Sequence, residues 1–545
     1  MNKYKYLKYK KKYLLLQYGG TPVQTAASSV EQLMDAQITI ILRGIKGKDI
    51  TVTVNRATIS TIYKFYNYML LTLYNSSQES INKNIYIKFI LANNTPLDST
   101  NYEGSIATQR IPIYLTYVVF NISVYSTARV FVVMINNGNV ITFGEPNCGG
   151  MIEPDISDLT NITAIKSTLC AFAVVNDDGK GNITLKTWGD NNYGGNSIGV
   201  NEILRNRRIK TICATSTAFA VLTEDKDIIS WGNNPPNITG EIDRIFRMCK
   251  GYKIENIYST KGAFAIFTEC GKVFTCGDEN YGHDVNIDVD VDVQIPYDNI
   301  KQIYSTKKAF VLVDNNNQIT TLAEEITKTV TNRIGIKAIY TTDGGFAAIN
   351  DQDTVITWGD HDFGGDSSNA TRELTNIKEI YSTAGAFAAI NDDGIVITWG
   401  HPEFGGDSSI VRDELNARNI KKIYSNTGAF AAIIEDGTVI TWGHHEYGGN
   451  SSNVREDLRN IKEIYSTSEA FAAINDQGTV ITWGNPVYGG NFSPRENRLV
   501  NIQNIYSNEF RFVAFDIFLN IIISPKFFRT PGVNDIDPPE NLLNP

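Results

Sequence analysis

The stretch that decides the fold is IKEIYSTAGAFAAINDDGIVITWG, which runs from Ile377 to Gly400. Nearly identical sequences begin at Ile420 and Ile461, and a fainter copy begins at Ile336. Each copy predicts three short strands, because apolar residues alternate with a period of two and an Asp-Gly turn separates the last two strands. A repeat of this length cannot bury both faces of its own sheet. The sequence therefore predicts that consecutive copies stack on one another.

Ten such repeats can be aligned between Asn121 and Ser524 on one position near the end of the first strand. A Trp-Gly or Phe-Gly pair ends the third strand in seven repeats; the pair is altered in the fourth and fifth repeats and lost in the tenth. The aligned first-strand positions are Tyr125, Lys166, Cys213, Tyr258, Tyr304, Tyr340, Tyr381, Tyr424, Tyr465 and Tyr506.

A second signature follows most Trp-Gly pairs and consists of an aromatic residue, two glycines, Asp or Asn, and Ser. Paired glycines could cradle a phosphate, but no Gly-Lys-Ser/Thr follows and no helix is predicted to open there. A tight backbone turn between repeats is the favoured interpretation. The signature begins at Tyr193, Phe363, Phe404 and Tyr447.

These two signatures together resemble the regulator-of-chromosome-condensation repeat, and their spacing is closest to the compact bacterial versions, including propeller-shaped β-lactamase inhibitor proteins. The resemblance covers roughly 400 residues of the chain and implies a mainly β fold, a β-propeller of about seven to ten blades built from repeats of about 41–45 residues. The family's Gly-Gln-Leu-Gly is Gly-Gly-Asp/Asn-Ser here, and its Gly-x-x-His is Ser-Thr-x-x-Ala-Phe. The nucleotide-exchange members have seven blades. The extra repeats therefore enlarge the ring, open it into a spiral or form a separate piece.

Residues 37–120 do not repeat and predict a small α+β domain. Ile38–Leu42 and Asp49–Val54 predict a hairpin, Ala57–Tyr74 a helix, and Ile85–Leu91 a further strand. This order faintly resembles BTB/POZ or ubiquitin-like domains, without any signature residue. The complete predicted division is a basic leader at 1–20, a linker at 21–36, the α+β domain at 37–120, the propeller at 121–525 and a tail at 526–545.

The first twenty residues, MNKYKYLKYKKKYLLLQYGG, carry six lysines and no acid. A secretory signal is disfavoured because the apolar run Leu14–Leu16 is too short. A solvated tail and a nucleic-acid-binding arm are the other interpretations. The segment resembles the leader on many proteins of giant DNA viruses of the mimivirus kind. That resemblance implies a virion-addressing or processing signal, with Gly19 and Gly20 as a candidate protease site.

The bulk composition limits the remaining choices. The chain has 545 residues, 42% of them apolar, and a formal net charge of −10. No apolar run approaches the ~20 residues of a membrane span, so none is predicted. The cysteines lack metal-ligand spacing. Cys148, Cys213 and Cys276 replace aromatic residues of the repeat and are predicted to be small core residues, and Cys270 with Cys276 is a candidate disulfide pair across one hairpin.

No catalytic residue, cofactor or metal site is predicted. Four of the five histidines fall in equivalent loops after Trp-Gly, but neighbouring loops of a propeller diverge, whereas metal ligands must converge. A solvated acidic-aromatic rim is the favoured interpretation of these loops. Alternating acids between Asp284 and Val293 predict one edge strand protected by charge, with calcium binding as the alternative.

The loops of the sixth to eighth repeats carry the predicted protein-binding surface. Each has an acid followed by an aromatic residue, a composition typical of interaction surfaces, and a basic partner is the complement. The predicted binding residues are Asp362, Phe363, Glu403, Phe404, Glu446 and Tyr447.

These observations favour a non-enzymatic structural or protein-interaction component of a giant-virus virion, such as a surface fibre, a layer or a packaged component. Its predicted partners are other virion proteins and further copies of itself, and its predicted location is the virion, assembled in the host cytoplasm. Direct nucleic-acid binding is disfavoured except through the basic leader, because the body is acidic. The alternative function is guanine-nucleotide exchange or chromatin binding, as the repeat's resemblance implies.

Overall fold

A computed structural model gives the fold of the chain. It describes residues 37–44, 50–55, 58–59, 61–77, 85–91, 96–98, 102, 113–136, 138–152, 159, 161–177, 183–205, 207–232, 253–283, 287–288, 293–294, 297–323, 328–330, 335–417, 419–491 and 499–524. The predicted leader with Gly19 and Gly20, the linker and the tail lie outside these residues. The chain divides into two compact units, Met1–Asn121 and Ile122–Pro545.

The first unit is a small α+β unit. Strand β1 (Gln37–Gly44) pairs antiparallel with β2 (Ile50–Asn55) and parallel with β4 (Ile113–Ser126), and β3 (Ile85–Leu91) pairs antiparallel with β4. Helix α1 spans Ile62–Ser77 and therefore begins five residues later than predicted. Its buried Phe65 ring packs edge-on against Phe89 of β3, with ring centroids 5.3 Å apart.

The second unit is a mainly β propeller. Its described residues form ten antiparallel repeats of three strands, which we call blades 1 to 10 in chain order, and eight of them are separate three-stranded sheets. Blade 1 is formed by the part of β4 from Ile122 to Ser126 with Val130–Ile135 and Val140–Gly144. Blades 2 to 5 are formed by Ile162–Ser167, Ala171–Asp177 and Ile183–Gly189; Ile209–Ala214, Ala218–Thr223 and Ile228–Gly232; Ile254–Ser259, Ala263–Thr268 and Val273–Gly277; and Ile300–Ser305, Phe310–Asp314 and Ile319–Leu322. Blades 6 to 10 are formed by Ile336–Thr341, Gly345–Asn350 and Val355–Gly359; Ile377–Ser382, Ala386–Asn391 and Val396–Gly400; Ile420–Ser425, Ala429–Ile434 and Val439–Gly443; Ile461–Ser466, Ala470–Asn475 and Val480–Gly484; and Ile502–Ser507, Phe512–Asp516 and Ile521–Ser524.

Additional elements are short. Lys328–Val330 extends blade 5 by a fourth strand. Helices α2 (Ile198–Leu204) and α3 (Arg412–Asn416) follow blades 2 and 7. The single acidic strand predicted between Asp284 and Val293 is wrong: Ile287–Asp288 and Val293–Gln294 are two short strands that pair antiparallel, so the chain reverses between them.

One contact joins most neighbouring blades. In each of these blades a Phe of the second strand stacks on the Trp of the third strand; for Phe430 and Trp442 the ring centroids lie 5.1 Å apart. The indole N–H of Trp442 donates to the carbonyl of Gly405 in the preceding blade, at 3.2 Å. The same bond joins Trp188 to Gly149, Trp231 to Gly194, Trp399 to Gly364 and Trp483 to Gly448.

The glycine in this contact is required for two reasons. Gly448 has a φ of +99°, a backbone conformation that side chains disfavour. A Cβ there would also lie 2.7 Å from Cδ2 of Phe471. Blade 5 has lost its glycine pair, and Trp358 of blade 6 donates instead to the Thr321 hydroxyl, at 2.7 Å.

The connections between first and second strands, which we call corners, are tied to one another by backbone hydrogen bonds. In each, an amide of one corner donates to a carbonyl of the next. One run goes from Leu169 through Ser216 and Lys261 to Lys307, and the other goes from Asp343 through Ala384, Thr427 and Ser468 to Glu509. The corners of blades 1 to 5 and of blade 10 line a common cavity, so the last blade returns to the first.

The cysteines follow the prediction only in part. Cys148 and Cys276 are buried, but Cys213 is only half-buried. The candidate pairing of Cys270 with Cys276 is wrong. A disulfide instead joins Cys148, which follows blade 1, to Cys170 at the corner of blade 2, across the boundary between the two blades.

Replacing Gly448 with Ala should lower the free energy of unfolding more than replacing Gly394 with Ala. Both glycines have a positive φ, but a Cβ at Gly394 meets no atom within 4 Å. The shared left-handed strain costs about 1–2 kcal/mol, and the clash with Phe471 adds about 1–3 kcal/mol. Urea denaturation of the two variants measures the difference. Equal losses would contradict the role assigned to the contact between blades.

Candidate interaction surface

The predicted binding residues lie in short 3₁₀ turns that follow the third strands of blades 6, 7 and 8. These turns are His361–Phe363, Pro402–Phe404 and His445–Tyr447, and each ends at a glycine with positive φ. The turn predicted for the paired glycines is therefore present. The expectation that no helix opens after them is wrong for blade 2, where α2 begins at Ile198 directly after the signature, and for blade 7, where α3 begins at Arg412 six residues after the glycine pair.

Each turn is fastened to the corner of its own blade by one side chain. In blade 7 the Thr383 hydroxyl accepts from the Ala386 amide at 3.0 Å and donates to the Phe404 carbonyl at 2.9 Å. In blade 8 the side chain of Asn426 makes the equivalent bonds to Ala429 and Tyr447. Because the corners are joined from blade to blade, all the turns lie at one end of the blades.

The aromatic members of the predicted site have a structural role. Phe363, Phe404 and Tyr447 are half-buried. Their rings cover the corner glycine of their own blade, where a Cβ on Gly385 would lie 3.0 Å from Cγ of Phe404. The corner glycine leaves the space that these rings fill.

The acidic members point away from the fold. Asp362, Glu403 and Glu446 are exposed. Asp362 lies 3.3 Å from Nδ1 of His361. Within the described part of the chain, Glu403 and Glu446 form no hydrogen bond or ion pair. We call these three exposed carboxylates the acidic strip.

The acidic character continues into blades 9 and 10, which the sequence analysis missed. Glu469 at the corner of blade 9 accepts from the side-chain amide of Asn485, at 2.6 Å. Burial, Glu469 and Glu446 raise the pKa of Tyr447, and burial followed by Glu469 raises the pKa of Tyr488. The signal was in the repeat alignment, because Glu469 stands where blades 7 and 8 have glycine.

The Asp/Asn-Ser part of the second signature is structural. The Thr398 and Ser408 hydroxyls are 2.9 Å apart, and Thr441 and Ser451 repeat the contact at 3.0 Å. The carboxylate of Asp407 accepts from the Ser409 amide at 2.8 Å, and this backbone hydrogen bond lowers the pKa of Asp407. These bonds give the Asp and Ser of the signature a structural role in this chain.

The histidines do not converge. His401 and His444 immediately precede their turns, at the position where Asp360 of blade 6 accepts from the Asp362 amide. Their Nδ1 atoms are buried and have no hydrogen-bond partner among the described residues. Among the described residues, no three His, Cys, Asp or Glu side chains are grouped as a metal site would require.

The fold is thus a repeat β-propeller with an acidic rim at one end of its blades. No protein-family model and no curated protein matches the chain. Within the described residues no helix has both the length and the apolar character needed to cross a membrane.

Three solved structures illustrate what the chain is similar to. Yeast RCC1 (Prp20) bound to Kap60 is 15% identical with a TM-score of 0.29, over 55% of this chain and 78% of that one. Prp20p of Saccharomyces cerevisiae is 13% identical with a TM-score of 0.30, over 63% of this chain and 90% of that one. The ectodomain of the Physcomitrella patens receptor kinase CR4 is 10% identical with a TM-score of 0.28, over 52% of this chain and 72% of that one. Two of the three are RCC1-type propellers, the class of repeat that the sequence resembles.

Replacing Thr383 with Val should lower the free energy of unfolding by about 1–3 kcal/mol, because the buried Ala386 amide and Phe404 carbonyl lose their partner. Replacing Thr383 with Asn should cost less, since Asn426 makes the same bonds in blade 8. Urea denaturation and hydrogen exchange at the Ala386 amide measure both effects. If the Val and Asn variants lose the same free energy of unfolding, the bond from the corner to the turn is not what stabilises this end of the blade.

Proposed function

We propose that this protein is a non-enzymatic interaction or structural component of a giant-virus particle, and that the acidic strip binds a basic partner. The observation that carries the proposal is the pair Glu403 and Glu446. They stand at equivalent positions of consecutive blades, exposed and without a hydrogen bond or ion pair to the described residues. Hydrogen bonds from Thr383 and Asn426 fix the backbone of these turns, whereas the carboxylates of Glu403 and Glu446 take no part in holding the described fold together.

The electrostatics of the strip support a basic partner. Repeated carboxylates on adjacent blades add to one another and steer cations during association. Half-buried aromatic rings beside them, such as Phe404 and Tyr447, supply the apolar area that a charged rim alone lacks. Further copies of this chain are candidate partners, because the lysine-rich first twenty residues have the complementary charge.

The virion assignment rests on the leader. The Lys/Tyr-rich segment that ends at Gly19 and Gly20 resembles leaders of giant-virus proteins, and we assign it the role of directing the protein to the particle, with cleavage at the glycine pair. The proposed location is therefore the virion, assembled in the host cytoplasm. Guanine-nucleotide exchange or chromatin binding is the alternative that the repeat's resemblance implies.

Replacing Asp362, Glu403 and Glu446 together with Lys should leave the fold nearly unchanged, because exposed substitutions typically alter stability by within ±0.5 kcal/mol each. Binding to a synthetic peptide of residues 1–20, measured by fluorescence anisotropy, should fall at least tenfold. The loss should be larger at low salt, where screening is weaker. Sedimentation velocity of the full chain should show a parallel loss of self-association.

The matched control replaces Asp393, Glu435 and Asp476 with Lys. These acids are also exposed and lie at the turns between the second and third strands, at the other end of the blades. The control changes the net charge equally and should bind the peptide nearly as well as the unaltered protein. If both variants lose affinity for the peptide equally, net charge explains the effect and the acidic strip is not a specific binding surface.

Quantitative mass spectrometry of purified particles checks the location. We expect the chain at an abundance typical of structural components, with the N-terminus beginning after Gly20. A protein that is absent from particles and associates with infected-cell chromatin would favour the alternative function.

A further inference from the structure

The end of the blades that carries the acidic strip also carries a cavity with a different chemistry. The cavity has a volume of about 610 Å³ and is lined by the corners of blades 1 to 5 and of blade 10. Most of its lining residues are Ser or Thr, among them Ser126, Ser167, Ser259 and Ser305. A hydroxyl can both donate and accept a hydrogen bond, so such a lining suits a ligand with many oxygen atoms.

A buried side chain at this cavity has an unused donor. Asn508 lines the cavity and is 9% exposed. Its Oδ1 accepts from the amides of Phe510 and Arg511, at 3.0 and 2.8 Å. Its Nδ2 is also buried and has no hydrogen-bond partner in the part of the chain that the structure describes. A buried donor without a partner costs free energy of folding. A ligand that supplies an acceptor at this point would therefore bind favourably.

The equivalent positions of other blades show what Asn508 lacks. Asn426 of blade 8 uses the same two amide bonds through Oδ1 and donates its Nδ2 to the carbonyl of Tyr447, at 2.6 Å. Thr467 of blade 9 donates to the carbonyl of Tyr488. In both cases the acceptor is the turn of the same blade. At Asn508 no such carbonyl is provided by the described residues.

The cavity also has an excess of positive charge. Lys261 and Lys307 line it and are exposed. Among the described residues neither ammonium group is in an ion pair, whereas the neighbouring Lys308 lies 3.5 Å from Asp343. The backbone bond from the Lys261 amide to the Lys307 carbonyl, at 3.0 Å, fixes the spacing of these two corners. Glu509 is the one carboxylate among the cavity-lining residues.

We propose that this cavity binds a small polyhydroxylated anion, such as a sugar phosphate or a sugar acid. The ammonium groups of Lys261 and Lys307 hold the oxyanion, the Ser hydroxyls of the lining contact the hydroxyl groups of the ligand, and the Asn508 amide donates to one ligand oxygen. The Thr hydroxyls of the lining already bond within their own blades, as Thr168 does to Tyr193 and Thr260 to Tyr281. The size lies within the range of about 300–1,000 Å³ that small-molecule sites occupy. The site does not depend on the acidic strip or on the virion assignment.

Isothermal titration calorimetry of the full chain with glucose 6-phosphate, glucuronate, inorganic phosphate and glucose tests the proposal. We expect binding of at least one of the two sugar anions, with glucose and inorganic phosphate each at least tenfold weaker. Glucose 6-phosphate and glucuronate distinguish a phosphate from a carboxylate as the preferred group. Absence of binding by both sugar anions at millimolar concentration, or equal binding of glucose, would overturn the proposal.

Four variants, two of them controls, locate the ligand. Lys261→Gln combined with Lys307→Gln should weaken binding of the sugar anion at least tenfold, and the matched control Lys308→Gln should not. Asn508→Asp keeps the two amide bonds at Oδ1 but replaces the donor with a negative charge, so binding should again fall at least tenfold. Asn426→Asp removes a donor that the fold already uses and should lower the melting temperature without changing affinity.

Thermal melts of every variant separate lost binding from lost folding. If Asn508→Asp fails to fold, the two lysine variants still decide the location of the ligand. Sugar-anion binding that survives the double lysine substitution would place the ligand elsewhere and refute the proposed site.

Discussion

The hydrogen bond from a tryptophan indole to a glycine carbonyl of the preceding blade is the interaction on which the rest of the propeller depends. Trp442 stacks on Phe430 of its own blade and at the same time fixes Gly405 of the blade before it. A three-stranded blade cannot bury both faces alone, so its stability comes largely from contacts with its neighbours. In the five pairs of blades that have it, the indole bond fixes the position of one blade against the next, and the positive φ of the glycine lets the two blades approach closely.

A second set of bonds makes one end of the blades rigid enough to carry specific side chains. The corner residue Thr383 ties the first and second strands to the turn after the third, and backbone bonds from Ala384 to Thr427 tie one corner to the next. These bonds use main-chain atoms and one small polar side chain in each blade. Residues such as Glu403 therefore stand on a fixed backbone without taking part in it.

Much of this architecture could be predicted from the sequence because it repeats. Period-two alternation, the Asp-Gly turn and the Trp-Gly pair each have a local physical cause, and the ten first-strand positions aligned on them all lie in first strands. The disulfide of Cys148 with Cys170 could not be predicted, because it depends on the turn of one blade facing the corner of the next. The packing of Phe404 could not be predicted for a similar reason: its ring fills the space above Gly385, nineteen residues earlier in the chain. Local patterns specify strands and turns, whereas contacts between turns and corners appear only after the blades are assembled.

The charges of the corners follow from what the backbone bonds between corners leave unconstrained. The third residue of each corner joins the run of backbone hydrogen bonds between corners through its main-chain amide or carbonyl. Its side chain takes no part in these bonds and is free to vary. That position is Lys261 and Lys307 in blades 4 and 5 but Asp343 and Glu509 in blades 6 and 10. These backbone bonds form two runs, one through blades 2 to 5 and one through blades 6 to 10. Both lysines lie in the first run and both acids lie in the second. The same backbone arrangement can therefore carry a cation or a carboxylate at this position, because the bonds between corners use only main-chain atoms.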